Sequence, residues 1–360
     1  TPEHVVNFFQ FVAEETRHLL AKMGLKSLED AVGRADLLAK RDNVAPKKTQ
    51  NINLDALTHL PDLSQDRSFL QHGEVHSTGP VLDDNILANE DVAAAIEGHG
   101  SVDATWDIVN TDRSVLGRVA GRVAEAHGNQ GFKGQLNLSF RGSAGQSFGL
   151  FNIPGMNIKL EGEANDYVAK SIHGGEVVIL PPANAGFKPE DNVIIGNTCL
   201  YGATGGKVMA YGRAGERFAV RNSGAIGVVE GTGDHCAEYM TGGVVVVLGS
   251  VGRNVGAGMT GGLAYILEDE DQTQEEFMAH INQETVKVQR VVSEAGEKQL
   301  KTIIADYRDK TGSNKAEAIL ANWDDYIKKF WQIVPAAEAE SPEAKAGTPL
   351  EEQKEIALSK

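Results

Sequence analysis

Residues 204–211 read TGGKVMAY, residues 223–230 SGAIGVVE, residues 241–248 TGGVVVVL and residues 260–267 TGGLAYIL. Each stretch opens on a small residue and glycine, then continues as a β-prone run. Towards the N-terminus the pattern returns at His173 (HGGEVVIL) and Pro154 (PGMNIKL). The six starts, Pro154, His173, Thr204, Ser223, Thr241 and Thr260, are separated by 19, 31, 19, 18 and 19 residues. A period of this size is the signature of a chain that returns beneath itself and stacks like on like.

The stacked positions agree in chemistry. Four residues past each start stand Ile158, Val177, Val208, Gly227, Val245 and Ala264, and six past it Leu160, Ile179, Ala210, Val229, Val247 and Ile266. The intervening set, Lys159, Val178, Met209, Val228, Val246 and Tyr265, is more mixed and suits an outward strand face, because side chains alternate along a strand. Glycine at the corners supplies positive φ or close backbone approach. Gln135 to Gly142 adds a coil in phase, and Pro181 to Glu190 reads as a loop thrown out of one coil. The expectation is a mainly β chain: a right-handed parallel β-helix, or solenoid, from about Gly134 to Leu267, with flanking α-helices at both ends.

A chain of 360 residues has room for two or three domains. Its net charge of −16 argues against nucleic acid or an anionic membrane surface as partner. With no run of eighteen apolar residues and no basic, apolar leader at the start, a soluble intracellular chain is expected. Two cysteines, Cys199 and Cys236, occupy one column two coils apart. At roughly 4.8 Å per strand they stand about 10 Å from each other, beyond the ~7 Å reach of a disulfide. Both are read as small buried hydrophobes in a reducing compartment.

Outside the repeat, residues 1–23 form an amphipathic helix whose apolar stripe is Val5, Phe8, Phe9, Val12, Leu19, Leu20 and Met23. That stripe needs a partner, which suggests upstream sequence. Ser27 with Asp30 opens a short helix to about Leu38, and Arg41 to Gln71 reads as an extended connector. Asn89 to Gly98 is a short helix, and Asp112 caps another that stops at Gly128. Glu294 to Lys310 and Asn314 to Phe330 make a helical hairpin turned at Gly312, and Ala336 to Lys360 reads as disordered.

Candidates for chemistry are few. Gly256, Gly258 and Gly261 match the G-x-G-x-x-G spacing but precede a strand rather than open a helix, so coincidence explains them. Gly202, Gly206 and Lys207 are one residue short of a phosphate loop, and Val208 replaces its hydroxyl. Asp234, His235 and Cys236 place an acid, an imidazole and a thiol in a row, yet neighbours on a strand point apart. Thr1 is an N-terminal nucleophile only in principle, since its place before Pro2 fits a helix cap or a cut in a longer chain. No CxxC or HExxH spacing marks a metal site.

The run from Gly142 to Gly149 (GSAGQSFG), Gly162 to Val168 (GEANDYV), Gly196 to Ala203 (GNTCLYGA), Gly215 to Gly224 (GERFAVRNSG) and Glu238 to Gly243 (EYMTGG) resembles the C-terminal glycine-repeat domain of the glutamate synthase large subunit. The likeness spans Thr1 to about Val334. Trp331, Val334, Pro335 and Ser341 to Ala344 look more like the ferredoxin-dependent type than the pyridine-nucleotide type. Ala237 departs from the pattern, since many relatives carry a second cysteine after His235 and Cys236.

The resemblance implies a parent enzyme that makes two L-glutamates from L-glutamine and 2-oxoglutarate with reduced ferredoxin, for glutamate biosynthesis and ammonia assimilation. An amidotransferase domain releases ammonia, which passes to an FMN-bearing (β/α)8 barrel fed with electrons by a 3Fe-4S cluster. It implies residues 1–40 as the last helices of the FMN barrel, 41–110 as a connector with a short helix, 111–270 as the glycine-repeat β-helix, 271–335 as the helical hairpin and 336–360 as the tail. It implies a scaffold for the amidotransferase and FMN domains of the same polypeptide, with no catalytic, cofactor-binding or metal residue of its own, and a cyanobacterial cytoplasmic or plastid stromal location. Ferredoxin is the parent's partner, and nucleic acid and membrane are not. An alternative is a β-helical scaffold subunit of a complex resembling formylmethanofuran dehydrogenase. A carbohydrate-active β-helix would need clustered outward acids, which the column holding Lys159, Met209 and Val246 does not offer.

Overall fold

A computed structural model of the chain describes residues 2–41, 49, 52–60, 79–268 and 272–346. It divides into two compact units, Thr1–Ser77 and Thr78–Lys360.

In the first unit, α1 (Pro2–Met23) carries the expected apolar stripe, but none of its residues is buried. Phe8, Phe9 and Phe11 are 62–72% exposed. Ser27 caps α2 (Leu28–Ala31) by accepting the Asp30 N–H at 3.2 Å. The helix expected to reach Leu38 is broken at Gly33, whose φ is +72°, and resumes as a 3-10 turn at Ala35–Leu37. A single turn, α3 (Asp55–Thr58), follows. Most of the expected connector lies outside the described residues.

The second unit opens with α4 (Leu82–Ala88) and α5 (Glu90–Gly98), the latter capped by Asn89. Then come β1 (Ser101–Ile108), α6 (Gly117–His127), β2 (Gln135–Ala144), β3 (Met156–Ala164), β4 (Glu176–Leu180) and β5 (Val193–Ile195). They continue as β6 (Lys207–Ala210), β7 (Arg213–Ala214), β8 (Ser223–Val229), β9 (Thr241–Val247) and β10 (Gly261–Leu267). The chain finishes with α7 (Gln274–His280), β11 (Val286–Arg290), α8 (Glu294–Thr311), α9 (Asn314–Ala321), α10 (Trp323–Tyr326) and β12 (Phe330–Pro335).

Among the described residues the twelve strands belong to one sheet, ordered β1-β2-β3-β4-β6-β8-β9-β10-β12-β11, with β5 and β7 off that path. The repeat columns set its register: Ile158, Val177, Val208, Gly227, Val245 and Ala264 are successive partners in parallel ladders. The pairs β10–β12 and β11–β12 are antiparallel. The architecture is therefore a mixed, mostly parallel sheet with helices, α/β in character, and it corrects the expected mainly β right-handed β-helix.

Burial of both strand faces from β4 onward is the physical reason. Ile158, Val177 and Val208 lie in one apolar core with Leu160 and Ile179. In the column expected to face outward Lys159 is exposed, but Val178, Met209, Val228, Val246 and Tyr265 are buried, in a second core shared with Leu300, Ile303, Ile304 and Tyr307 of α8 and Ile319 of α9. Strands covered on both sides carry continuous apolar runs such as Val244 to Leu248, as parallel strands under helices do. Phe330, expected to end a helix, instead begins β12.

Between the strands runs a second stack. Positive φ recurs at every other residue in Ser147–Gly149–Phe151, Tyr167–Ala169–Ser171, Thr198–Leu200–Gly202, Arg217–Ala219–Arg221, His235–Ala237–Tyr239 and Asn254–Gly256–Gly258. Ser147, Tyr167, Thr198, Arg217 and His235 donate their N–H groups at 2.7–2.8 Å to carbonyls of the following layer. Ala169, Leu200, Ala219, Ala237 and Gly256 donate at 2.8–2.9 Å to the preceding one. Alternating hydrogen bonds hold left-handed residues whose side chains would otherwise disfavour that conformation.

Candidate functional site

The turn stack separates the acid, imidazole and thiol that adjoin in sequence. Asp234 accepts the Arg253 N–H at 2.7 Å and its guanidinium at 2.8 Å, bonds that hold the carboxyl below its usual range. His235 Nδ1 is 3.1 Å from Glu238 Oε1 and 3.1 Å from Asn254 Nδ2. Cys236 turns into the core at 1% exposure, where burial pushes its thiol up to about 12. What remains is one imidazole beside one carboxylate, fewer side chains than the three a metal site needs. Cys199 is buried in the same column with its thiol also raised to about 12, and both cysteines are free. Phe218 lies between them, bonded through Ala219 N–H to Cys199 O and through its own carbonyl to Ala237 N–H. Thr1 lies outside the described residues.

Gly256 and Gly258 belong to the last turn layer and Gly261 starts β10, so they do not cradle a phosphate at a helix N-terminus. Gly202 and Gly206 flank the corner into β6, where Lys207 pairs with Asp306 of α8 at 2.5 Å. Among the described residues no group of three or more His, Cys, Asp or Glu side chains could hold a metal.

The chemistry that sequence reasoning missed lies at a cleft of about 430 Å³, whose lining includes Glu190, Arg213, Glu230, Ser250, Glu268, Lys315 and Lys329. Arg213 donates to Ser250 Oγ at 2.6 Å. Glu230, just past β8, is 1% exposed. Its Oε1 contacts the hydroxyls of Tyr307 at 3.1 Å and of Ser313, while its Oε2 has no hydrogen-bond partner. Burial drives this carboxyl above its usual range. Its column in the repeat carries no distinguishing signal: seven residues past the corners stand Glu161, Leu180, Tyr211, Glu230, Leu248 and Leu267, so a carboxylate recurs there at an unburied position as well.

A family model described as the GXGXG motif matches residues 83–336. The chain belongs to the GXGXG-motif family. Its turn layers and the glycines flanking β6, β9 and β10 all fall within the matched span. It is similar to ferredoxin-dependent glutamate synthase 2 of Synechocystis sp., 57% identical over 355 residues, which are 99% of this chain and 23% of that protein. It is 55% identical over 348 residues to the chloroplastic ferredoxin-dependent glutamate synthase of Spinacia oleracea, covering 96% of this chain and 21% of that one. The chloroplastic/mitochondrial ferredoxin-dependent glutamate synthase 1 of Arabidopsis thaliana is 56% identical over 348 residues. This chain of the GXGXG-motif family thus spans between a fifth and a quarter of the length of these relatives.

The residues present do not fit an iron–sulfur cluster. Such clusters are held by several thiolates, and here two cysteines sit in separate layers, both buried and both protonated at neutral pH.

Proposed function

We propose that this chain is the C-terminal structural portion of a ferredoxin-dependent glutamate synthase, an oxidoreductase that makes two L-glutamates from L-glutamine and 2-oxoglutarate. The observation that carries the reading is identity above 50% along nearly the whole chain to relatives of that printed name, each about four to five times as long. Flavin and iron–sulfur chemistry belong to the remainder of such an enzyme. The role of this portion is to fix the placement of an ammonia-producing domain and a flavin domain of the same polypeptide. A sheet whose strands from β4 onward are packed on both faces resists bending, and positioning of two sites within fractions of an ångström depends on such a supporting body. Ferredoxin is the electron donor of the whole enzyme. A cyanobacterial cytoplasm or a plastid stroma is the compartment, in keeping with the chloroplastic relatives. Among the described residues, no helix is long and apolar enough to cross a membrane.

Two measurements test this. The 360-residue chain, purified, is expected to carry no flavin and to release no ammonia from glutamine. Stoichiometric flavin or glutaminase turnover would overturn its non-catalytic role. In the full-length enzyme, deleting residues 83–336 is expected to uncouple glutamine hydrolysis from glutamate formation. Retention of a one-to-one ratio would show that the segment does not position the two sites.

A further inference from the structure

Tyr307 sets the problem. Its hydroxyl oxygen lies 3.0 Å from the Ala210 carbonyl and 3.1 Å from Glu230 Oε1. A tyrosine has one proton to give, and a carbonyl and an ionised carboxylate only accept. If Glu230 were charged, one of these two oxygen pairs would face each other with no proton between them. If Glu230 carries a proton on Oε1, every contact is filled: Glu230 donates to Tyr307, and Tyr307 donates to Ala210. Ser313 then donates to the remaining lone pair of Oε1 while its own oxygen accepts the Ala316 N–H at 3.1 Å. The unpartnered Oε2 says the same, because a buried anionic oxygen without a donor is far costlier than a buried neutral carbonyl.

We propose that Glu230 is held as a neutral carboxylic acid that pins α8 and the corner before α9 to the sheet beside the cleft, its O–H bonded to Tyr307 and its Oε1 accepting from Ser313.

The charged surroundings support the neutral form. From α9, Lys315 favours ionisation but makes no ion pair with Glu230. Glu190, which also lines the cleft, opposes it. Tyr307 from α8 and Tyr211, which follows β6, are themselves pushed above their usual range, chiefly by burial, so neither supplies a counter-charge. Asp191, Arg213, Glu268 and Lys329 also line the cleft, with both signs represented. Burial is the largest effect on Glu230, and the hydrogen bonds from Ser313 and Tyr307 only partly offset it.

The folded pKa is therefore raised above the unfolded one. The pin's contribution is complete below the ordinary glutamate range and is lost as pH rises through the folded value. On losing its proton, Glu230 leaves Tyr307 one proton for two acceptors, so the contact to either Ala210 or Glu230 is lost, the buried Oε2 becomes part of an anion without a donor, and the attachment of α8 and α9 to the sheet loosens.

The test uses the 360-residue chain labelled with 13C-glutamate, which leaves the buried Asp83 silent. At about pH 6, where ordinary glutamates are ionised, the wild-type chain is expected to show one neutral glutamic acid carboxyl by NMR or infrared spectroscopy, and Glu230→Gln none. Hydrogen-exchange protection of the Gly312 and Ala316 amides is expected to fall with rising pH in the wild type, by up to about tenfold per unit, and to stay level in Glu230→Gln. Absence of a neutral glutamic acid in the wild type overturns the proposal even if the variant does not fold. An identical pH slope in the two proteins overturns it as well.

Discussion

At the scale of single residues, backbone conformation decides which glycines are replaceable. Gly162 stands in register beside Gly142, with φ of +152°, and a Cβ built there would lie 1.8 Å from the Gly142 carbonyl oxygen. Gly162→Ala is expected to cost about 2–4 kcal/mol, combining left-side backbone strain with a steric shift of the neighbouring strand. Gly121 lies inside α6 with nothing within 4 Å, and Gly121→Ala is expected to stabilise the chain by about 0.5–1 kcal/mol. Urea midpoints of the two variants check the pair, and equal shifts would refute the distinction. The glycine corners were readable because glycine is the residue such corners select. The turn layers were not, since Tyr167, Leu200 and Arg217 take left-handed conformations that their own side chains oppose. Only hydrogen bonds from neighbouring layers hold them there, and no local pattern announces those. Glu230 was hidden for a similar reason: its partners come from Tyr307 and Ser313, far along the chain.

At the scale of elements, helix ends show which signals are local. Asn89 Oδ1 accepts two N–H groups at the start of α5, Ser293 Oγ accepts the Gly296 N–H at 3.0 Å on α8, and Gly312 closes that helix with φ of +70°. These caps stand within a few residues of their helices, and composition points to them. The start of α6 differs. Asp112, the expected cap, accepts the Val109 N–H at 2.9 Å in a preceding turn. The helix is capped from another element: Asp83 of α4, 2% exposed, accepts the Leu116 N–H at 2.7 Å and the Arg118 N–H at 2.8 Å. Asp83→Ala is expected to cost about 1–3 kcal/mol, since it leaves two N–H groups without acceptors, and Asp112→Ala under about 1 kcal/mol. Thermal denaturation of both variants decides, and a larger loss from Asp112→Ala would return the cap to the local position. The segment after β12 was misjudged by composition alone. It begins with a 3-10 turn at Ala336–Glu338, Ala344 is 4% exposed, and the Glu343 carbonyl accepts from Ser293 Oγ at 2.7 Å and Gln332 Nε2 at 3.0 Å. Residues 347–360 of the expected disordered tail lie outside the described residues.

At the scale of the molecule, periodicity fixed which residues would be neighbours and left open what would cover them. The columns were legible because a side chain in a parallel ladder meets its counterpart one period away. The helices over the second face were not, because α8 and α9 are remote in sequence from the strands they bury. The same periodicity makes the chain unequally tolerant of length. Between β4 and β6 the spacing of paired residues Val177 and Val208 is 31, against 19 between Val208 and Gly227, so one strand-to-strand connection already carries an excursion. That excursion turns at Pro182, whose carbonyl accepts the Ala185 N–H at 2.8 Å, and Gly186 has nothing within 4 Å. Four added residues after Gly186 lengthen a solvent-facing loop and are expected to cost under about 1 kcal/mol, because closure entropy rises only slowly with loop length. One added residue after Ala237 acts differently. It displaces Tyr239, whose N–H reaches Ala257, and Thr241, whose N–H reaches Asn222, while the alternation of left-handed residues slips by one. A one-residue slip also exchanges the two faces of β9, although both faces are packed against different partners. The shorter insertion is therefore expected to abolish cooperative folding and the longer one to preserve it, as followed by denaturant unfolding and limited proteolysis. The opposite ranking would mean that the layers are not locked to one another by their common period.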